Sequence, residues 1–548
     1  MERKKILVNG IVQGVGFRPA VYRIALKNGI AGNVINTSAG VVIEAEGKPA
    51  AVRKFLRDLK EQKPPQSRID SISVRPVPAK EGSGFVIEKS RDAGKASSIV
   101  PADLSLCAGC RKDIFDKSGR RWLYPFTNCT NCGPRFTIVR SLPYDRPLTT
   151  MSRFRMCPDC LAEYENPSDR RFHAQPNACP VCGPEIYLDE GKRRLSGPEA
   201  LKKASDELIK GKIASLQSLG GFHLACDAFN KAAVMKLRER KLRPHKPLAV
   251  MVRSIKQARK ICFMNQDEAD ALSSQRAPIV MLKKKKNIPG WIAPGLADIG
   301  VMLPYTPLHE ILFEMLSKAG FSGPLIMTSG NRIDEPICRS RDEAVERLSD
   351  IADLMLYHDR EIHNRCDDSV AFVLDGTLHP VRRSRGFVPD CVKLAVSGET
   401  VLGCGADFKN TFCLTRGGEA FLSQHIGDLE DERAGKFYLE ALARMKSFLG
   451  VTPAVVAHDL HPDYSSTSMA SGFRGMKFPV QHHLAHIASV MAEHRLDEPV
   501  LGVALDGTGY GTDAAIWGSE FLKVDEKKWE RLGHLKNFAL PGGDAASA

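Results

Sequence analysis

The sequence has no long apolar run and no apolar core near its start. None of its segments approaches the ~18 consecutive apolar residues of a membrane-spanning helix. The first ten residues, MERKKILVNG, lack the apolar stretch that follows the charges of a secretory signal. These absences argue against a membrane protein and a secreted protein. The sequence therefore predicts a cytoplasmic protein.

Acidic residues are in deficit. The 548 residues include 64 Asp and Glu against 78 Lys and Arg, for a formal net charge of +14. Such an excess suits a nucleic-acid-binding protein or an enzyme that handles phosphate, and it also favours simple solubility. At about 100 to 200 residues per domain, the chain is too long for one core, and we expect roughly three to five domains.

Cysteine, by contrast, is plentiful and ordered. The spacing C-x2-C-x18-C-x2-C occurs twice, and each half offers four thiolates for a closed zinc site. The predicted zinc ligands are Cys107, Cys110, Cys129, Cys132, Cys157, Cys160, Cys179 and Cys182. A redox dithiol would need one active pair beside a βαβ unit instead. The repeat predicts a double zinc-ribbon-like module over 103–186 with two structural Zn²⁺ ions, and its Arg120, Arg121 and Trp122 are expected to be surface and packing groups.

Residues 1–91 carry a strand, a glycine-rich loop, a helix, a strand pair, a second helix and further strands. This βαββαβ order predicts a small α/β sandwich of the α+β class. The loop before the first helix consists of Gln13, Gly14, Val15, Gly16 and Phe17, and Arg18 follows it. Free N–H groups at a helix start favour an anion, and an arginine adds donors. The loop is either a phosphate cradle or an ordinary tight turn.

The strings V-Q-G-V-G-F-R-P and G-N-V-x-N-T of this module resemble acylphosphatase. The resemblance implies that Arg18 binds phosphoryl oxygens, that Asn36 orients the attacking water and that the substrate is an acyl phosphate. This division of labour suits phosphoryl transfer, which needs charge stabilisation and an aligned nucleophile.

Residues 198–390 alternate helix and strand signals and predict an α/β domain. A basic helix end carries Lys241, Arg243 and Lys246, which by themselves fit a solvated surface equally well. With the turn Thr328-Ser329-Gly330-Asn331 and the string RRSRGFVP, they resemble the YrdC/Sua-type nucleotide-binding fold. The resemblance implies ATP with Mg²⁺ as ligand. The implied contacts are Lys241, Arg243 and Lys246 for phosphates, Ser329 and Asn331 for nucleotide or carboxylate, and Arg385 for a further anion; His223 could line the pocket or be structural.

Residues 398–548 begin with a strand and a glycine turn of the form found in actin-like ATPases. His482 and His486 are four residues apart and share a helix face, as two ligands of one metal must, although packing or capping is an equal alternative. His483 stands where a zincin has Glu, which disfavours metalloprotease chemistry. The segment resembles the TsaD-like carbamoyltransferase fold, which implies an additional divalent metal with Asp506 as third ligand. That family continues beyond LPGGDAA, so we expect only the N-terminal part of the domain.

The four modules in this order resemble the HypF family of [NiFe]-hydrogenase maturation carbamoyltransferases. The resemblance implies hydrolysis of carbamoyl phosphate, adenylation of the carbamate with ATP and transfer of the carbamoyl group to the C-terminal cysteine of a HypE partner, where it becomes a cyanide ligand. A threonylcarbamoyl-type tRNA modification enzyme is an alternative, but it has no use for an acylphosphatase module. A zinc-ribbon nucleic-acid-binding protein is another, but it leaves Arg18, Asn36 and the histidine pair unused.

Overall fold

The computed structural model describes residues 1–37, 39–64, 66–90, 99–190, 193–525 and 528–537. The chain forms two compact units, Met1–Pro389 with Phe448–Gly450, and Asp390–Ser447 with Val451–Ala548. Within the described residues, no helix combines the length and the apolar character needed to cross a membrane. The LPGGDAA string, at which the TsaD-like resemblance ends, lies outside the described residues.

The first module has the predicted sequence of elements, with two strands after the second helix. Its elements are β1 (Glu2–Ile11), α1 (Phe17–Lys27), β2 (Ala31–Thr37), β3 (Gly40–Gly47), α2 (Pro49–Glu61), β4 (Arg68–Val77) and β5 (Phe85–Ile87). The sheet order is β4-β1-β3-β2-β5, and the two helices pack against β2, β3 and β5. Ile6, Ile43 and Phe55 are fully buried between the sheet and the helices. The glycine loop therefore joins the interior strand β1, which lies between β4 and β3, to α1.

The zinc module contains little regular structure. Its helices are α3 (Ala108–Phe115) and α4 (Pro158–Glu165), each of which begins directly after the first cysteine of a half, and three short 3-10 turns lie between them. Ile114, Tyr124 and Phe126 belong to one apolar cluster with Leu188 and Leu216 of the following module. The zinc module thus shares a core with its neighbour, as a segment with few apolar residues of its own must.

The third module is built on one mixed sheet of eleven strands. Its strands are β6 (Ile186–Glu190), β7 (Arg193–Ser196), β8 (Ala214–Gln217), β9 (Phe222–Asp227), β10 (Val250–Met251), β11 (Ile279–Lys283), β12 (Asp298–Met302), β13 (Leu325–Ser329), β14 (Leu354–His358), β15 (Val370–Leu374) and β16 (Thr377–Arg382). Its helices are α5 (Gly197–Ile209), α6 (Lys231–Arg240), α7 (Ile255–Ile261), α8 (Gln266–Ser273), α9 (Pro307–Lys318) and α10 (Arg341–Leu348).

The strand order of this sheet is β16-β15-β11-β12-β10-β13-β9-β8-β14-β6-β7. β10 with β12, β11 with β15 and β8 with β14 are parallel pairs, and the other neighbours are antiparallel. The hairpin of β6 and β7 pairs with β14 at one edge, so the sheet begins before position 198, where the sequence predicts its start. The turn that carries Ser329 and Asn331 lies at the end of the central strand β13.

The second unit contains two separate sheets. The elements of the first are β17 (Val392–Gly398), β18 (Val401–Gly403), β19 (Cys413–Leu422), α11 (Glu432–Leu449), β20 (Val455–Asp459), α12 (Ser465–Gly472) and β21 (Met476–Val480), in the sheet order β17-β19-β18-β20-β21. After α13 (His482–His494) come β22 (Val500–Tyr510), β23 (Ile516–Val524) and β24 (Trp529–His534), which form an antiparallel sheet.

One face of the three-stranded sheet packs on α13, where Gly502, Ala504 and Leu522 lie. The alternating positions Leu501 and Leu505 point the other way and are 66% and 75% exposed. Because side chains alternate across a strand, β22 therefore has one packed face and one exposed apolar face.

Candidate active sites and zinc centres

The two cysteine sets form two compact clusters. In the first, the Sγ atoms of Cys107 and Cys129 are 3.7 Å apart and those of Cys129 and Cys132 are 3.9 Å apart. In the second, Cys157–Cys179 and Cys179–Cys182 span 3.7 and 3.8 Å. A tetrahedral zinc with Zn–S bonds of about 2.3 Å places its sulfurs about 3.8 Å apart. Both clusters therefore fit zinc, with all four predicted ligands in each.

Arginines from each half of the repeat reach the cysteines of the other half. Arg170, in the second half, donates from Nη1 to Cys110 Sγ at 3.1 Å, and Arg120, in the first half, donates from both Nη atoms to Cys160 Sγ at 3.4 Å. Arg120 also pairs with Glu163 at 2.8 Å, and Arg170 pairs with Asp113. A four-thiolate Zn²⁺ site carries a net negative charge, which a guanidinium offsets.

Arg120 lies at the surface and Arg121 is buried, as expected of surface and packing groups, and both also contact Cys160 Sγ. Arg121 is buried and donates to Glu163, to Asn177 and to the carbonyl of Ala178. Trp122, at 44% exposed, does lie on the surface. The hydrogen bonds of these arginines were not predicted, because their partners lie in the other half of the repeat.

Removal of one ligand provides a test of the zinc centres. We expect two zinc ions per chain, and we expect Cys129→Ser to release one of them, because three thiolates and a hydroxyl bind Zn²⁺ more weakly than four thiolates. Zinc per chain is measured by elemental analysis after dialysis. A content of one ion in the unmodified chain would contradict the assignment.

The arginine contacts make a matched pair of variants available. Arg170→Gln keeps all eight cysteines, and we expect it to speed zinc release to a chelator by about tenfold, in line with the effect of outer-shell groups on metal affinity. Arg153→Gln, at an exposed arginine that lies over the Phe154 ring, serves as the control. Equal release rates in the two variants would show that Arg170 does not stabilise the cluster.

The glycine loop and the two predicted catalytic residues of the first module line one pocket. Gly14 and Gly16 adopt φ values of 68° and 75°, in the left-handed region that glycine tolerates. Arg18 is 6% and Asn36 1% exposed. With its amide oriented to satisfy its neighbours, Asn36 Oδ1 accepts from Arg18 Nε at 3.2 Å and from Nη2 at 3.3 Å. The structure thus brings Arg18 and Asn36 together beside the loop.

Arg18 has two further partners. Its Nη1 donates to Ser90 Oγ at 3.3 Å, and its Nη2 lies 3.3 Å from Asp145 Oδ1 in the zinc module. The remaining wall of the pocket also comes from the zinc module and includes Tyr144 and His173. Sequence reasoning missed these residues, because nothing in their local pattern connects them to the glycine loop.

In the third module, the structure brings Lys241 to the turn after β13. Lys241 is 4% exposed, and its Nζ donates to Asn331 Oδ1 at 2.8 Å, to the Asn331 carbonyl at 2.8 Å and to the Ser329 carbonyl at 2.5 Å. Ser329 Oγ donates to Asn331 Oδ1 at 2.8 Å. Burial and the neighbouring Arg243 lower the pKa of Lys241 to about 7. Lys241 therefore holds the turn in place. Because its pKa is about 7, its side chain is partly deprotonated at neutral pH.

The other predicted nucleotide contacts differ in their surroundings. Arg243 donates to Thr328 Oγ1 at 3.4 Å, whereas Lys246 is exposed. Arg385 is 2% exposed and donates from Nε to Asp368 Oδ1 at 2.8 Å. Burial opposes the ionisation of Asp368, but Arg385 and His223 hold the pKa of its carboxyl well below its usual value. Arg385 is therefore already bound within the protein.

Asp367, Asp368 and Arg382 are functional candidates that sequence reasoning did not single out. Asp368 Oδ2 lies 2.8 Å from His223 Nε2, and Asp367 pairs with Arg382 at 3.1 Å. The charge of Asp367 also acts on Lys241 and Arg243. The string HNRCDDSV contains both aspartates, but the contact of Asp368 with His223 on β9 joins segments far apart in sequence. Asp367 and Asp368 thus connect Lys241 and Arg243 to the buried Arg385.

In the second unit, three predicted metal ligands converge. The Nε2 atoms of His482 and His486 both lie 3.1 Å from Asp506 Oδ2. His482 Nδ1 lies 2.7 Å from Asp459 Oδ2, and a carboxylate in that position directs the other ring nitrogen toward a metal. His482, His486 and Asp506 therefore fit a divalent metal, with Asp459 as their support, although sequence reasoning missed Asp459.

The strand that carries Asp506 differs from the prediction. The sequence predicts a strand that ends at a D-G-T-G turn, but β22 runs through these residues to Tyr510, and its pairing with β23 shifts between Leu505 and Gly509. A Cβ atom at Gly509 would lie 2.5 Å from the His483 ring. The glycine thus permits the strand to pass close to the histidine helix, and the irregular register presents Asp506 to it.

The glycine turn after β18, which has the form found in actin-like ATPases, makes structural contacts through Asp407. The Asp407 carboxylate accepts from the backbone N–H groups of Ser465 at 2.7 Å and Ser466 at 2.9 Å. It therefore satisfies free donors at the start of α12.

Comparison with family models divides the chain along the same lines. The matches are "Acylphosphatase" at 4–87, "HypF finger" at 106–139 and 156–188, "Telomere recombination" (Sua5, YciO and YrdC) at 206–384, "HypF Kae1-like domain" at 396–493, and "Carbamoyltransferase, Kae1-like Domain, second subdomain" at 502–548.

Curated relatives match the chain throughout. Carbamoyltransferase HypF of Rhizobium leguminosarum is 47% identical over 550 residues, and Carbamoyltransferase HypF2 of Cupriavidus necator is 45% identical over 568 residues. These alignments cover 100% of this chain and 71% and 70% of the two relatives.

Solved structures agree with these matches. Full-length HypF in a phosphate- and nucleotide-bound form has a TM-score of 0.95 at 46% identity, and T. kodakarensis HypF has a TM-score of 0.94 at 43% identity. Each comparison covers 100% of this chain and 71% of the other. The chain therefore belongs to the HypF family of carbamoyltransferases.

Proposed function

We propose that this enzyme hydrolyses carbamoyl phosphate, adenylates the released carbamate with ATP and transfers the carbamoyl group to the C-terminal cysteine of a HypE-type acceptor. The observation that carries the first step is the pocket in which Arg18 and Asn36 share hydrogen bonds beside the glycine loop. A related HypF has been solved with phosphate and nucleotide bound, which supports both classes of ligand.

In the first step, the loop N–H groups at the start of α1 and the Arg18 guanidinium hold the phosphoryl oxygens. Asn36 Oδ1 is bound to Arg18, and we assign to the amide N–H groups the role of orienting a water. The water oxygen attacks phosphorus, the bond from phosphorus to the acyl oxygen breaks, and inorganic phosphate and carbamate leave. Arg18 stabilises the charge that spreads over the phosphoryl oxygens in the transition state.

In the second step, a carbamate oxygen attacks the α-phosphorus of ATP and pyrophosphate departs. Lys241, Arg243 and Lys246 are proposed to contact the phosphates with Mg²⁺, while Ser329 and Asn331 contact the nucleotide or the carbamate. Because the pKa of Lys241 is lowered to about 7, a neighbouring phosphate would favour its charged form. Arg385 is proposed to act as a further anion contact through the network around Asp368.

In the last step, the acceptor thiolate attacks the carbamoyl carbon and AMP leaves. A divalent metal held by His482, His486 and Asp506 would supply Lewis-acid activation when it is bound. Asp459 holds the His482 ring so that Nε2 faces Asp506. We also place the protein in the cytoplasm, because a reducing compartment keeps zinc-binding thiols reduced.

Substitution of Arg18 and of Asn36 tests whether the first residue binds the phosphoryl group and the second orients the attacking water. We expect Arg18→Ala to lower hydrolysis of carbamoyl phosphate by about 100-fold or more, because it removes the charge-stabilising donors. Asn36→Ala should lower kcat to a similar degree but change the inhibition constant of inorganic phosphate little, since Asn36 orients water.

Phosphate release is measured for both variants, with Arg23→Ala, an exposed position on the same helix, as the control. Near-normal hydrolysis by Arg18→Ala would contradict the phosphate-cradle assignment. Equal loss of phosphate affinity in both variants would contradict the division of roles.

The products formed from ATP test the second step. We expect pyrophosphate to form only when carbamoyl phosphate is supplied together with ATP and Mg²⁺, because carbamate arises from the first reaction. Asn331→Ala should abolish pyrophosphate formation and leave phosphate release from carbamoyl phosphate intact. Formation of ADP, or of pyrophosphate without carbamoyl phosphate, would refute the adenylation step.

A further inference from the structure

We propose that the zinc module determines which acyl phosphate the first site accepts, with Tyr144 and His173 as the residues that recognise a small, hydrogen-bonding acyl group. The inference rests on the proposed hydrolysis of acyl phosphates by Arg18 and Asn36. It assigns a substrate-recognition role to a module whose zinc ions are otherwise purely structural.

The zinc module is bound tightly to the glycine loop. Arg135 Nε donates to the Gly14 carbonyl, and the Tyr144 N–H donates to Gln13 Oε1 at 3.1 Å. A Cβ atom at Gly14 would lie 3.1 Å from the Tyr144 ring, and one at Gly16 would lie 3.2 Å from Thr130. These contacts fix the wall of the pocket in place, so the wall is present whenever substrate binds.

The pocket has two chemically different sides. The first-module side offers the glycine loop and the Arg18 guanidinium, which suit the dianionic phosphoryl group. The zinc-module side offers Tyr144, His173 and Gln175. Burial, and then the nearby Arg18, lower the pKa of His173 to about 4, so its imidazole is neutral at neutral pH. Arg135 also lines this side, but its guanidinium donates to backbone carbonyls. The other zinc-module groups present neutral hydrogen-bonding atoms to the uncharged acyl end.

Tyr144 lines this pocket and carries a buried hydroxyl without a hydrogen-bond partner in the described part of the chain. Its side chain is 1% exposed, and its hydroxyl has no hydrogen-bond partner among the described residues, although Arg135 lies beside it. Burial raises the pKa of Tyr144 to about 12, which keeps the hydroxyl protonated. A buried polar group without a partner is costly, and a ligand that pairs with it removes that cost.

The carbamoyl group matches these neutral groups. It is an amide with two N–H donors and one carbonyl acceptor, whereas the acetyl group of the same size ends in a methyl that cannot donate. A tyrosine hydroxyl and a neutral imidazole can each accept one hydrogen bond and donate one. A site built on such contacts rejects an analogue that leaves them unpaired. The acyl phosphate preferred here is therefore one with an amide-like acyl end.

A pair of substrates tests this role. Initial rates of phosphate release from carbamoyl phosphate and from acetyl phosphate are measured for the whole chain, for Tyr144→Phe and for His173→Leu. The unmodified chain should have the higher kcat/KM for carbamoyl phosphate. Each variant should lose about tenfold in kcat/KM for carbamoyl phosphate while its value for acetyl phosphate stays within about twofold.

Tyr187→Phe is the matched control, because Tyr187 lies on β6 and its hydroxyl is bonded to Glu185 and does not line the pocket. Retained activity on acetyl phosphate shows that a variant is folded. A parallel loss on both substrates, or an unchanged ratio in both variants, would overturn the inference while the proposed hydrolysis stands. If the unmodified chain releases phosphate from neither substrate, the proposed function fails and the inference fails with it.

Discussion

Arg135 connects the first cysteine cluster to the glycine loop of the first module. Its guanidinium is 1% exposed and donates to the carbonyls of Gly14, Cys129, Thr130 and Pro134. A buried guanidinium is tolerated only when its donors are satisfied, and here the acceptors are backbone carbonyls of two modules. The conformation of a loop beside a zinc ligand is thereby tied to that of the loop beside Arg18, and neither module is independent of the other.

Contacts between distant parts of the chain also limit how much of the zinc module's structure could be predicted from the sequence. The eight ligands follow from spacing alone, because thiolates that share one ion must recur at short, regular intervals. The contacts of Arg120 with Cys160 and of Arg170 with Cys110 do not follow, since each crosses between the halves of the repeat. A local pattern identifies the members of a cluster, but only the packing of the halves shows which charges surround it.

The candidate active sites show a similar limit to prediction from local sequence. Arg18 and Asn36 could be recognised because their motifs are local, and the structure brings them within hydrogen-bond distance. Asp145, from the zinc module, could not be recognised in this way. Lys241 was identified as a cation of the third module, but its three backbone and side-chain acceptors were not, because the turn that supplies them lies on β13. In β22 the D-G-T-G string suggested a turn, whereas Gly509 permits the close approach of α13.

The zinc module also contacts the third module through buried hydrogen bonds. Asn364, 1% exposed, donates from Nδ2 to the carbonyls of Phe136 at 2.6 Å and Val139 at 2.9 Å. One zinc-stabilised segment therefore borders both the proposed hydrolysis site and the domain proposed to use its product. Carbamate decomposes in water, so an enzyme that makes and consumes it gains from a short, enclosed route. Zinc ions with no open coordination position can contribute to catalysis in this way, because they hold rigid a wall that small apolar cores could not support.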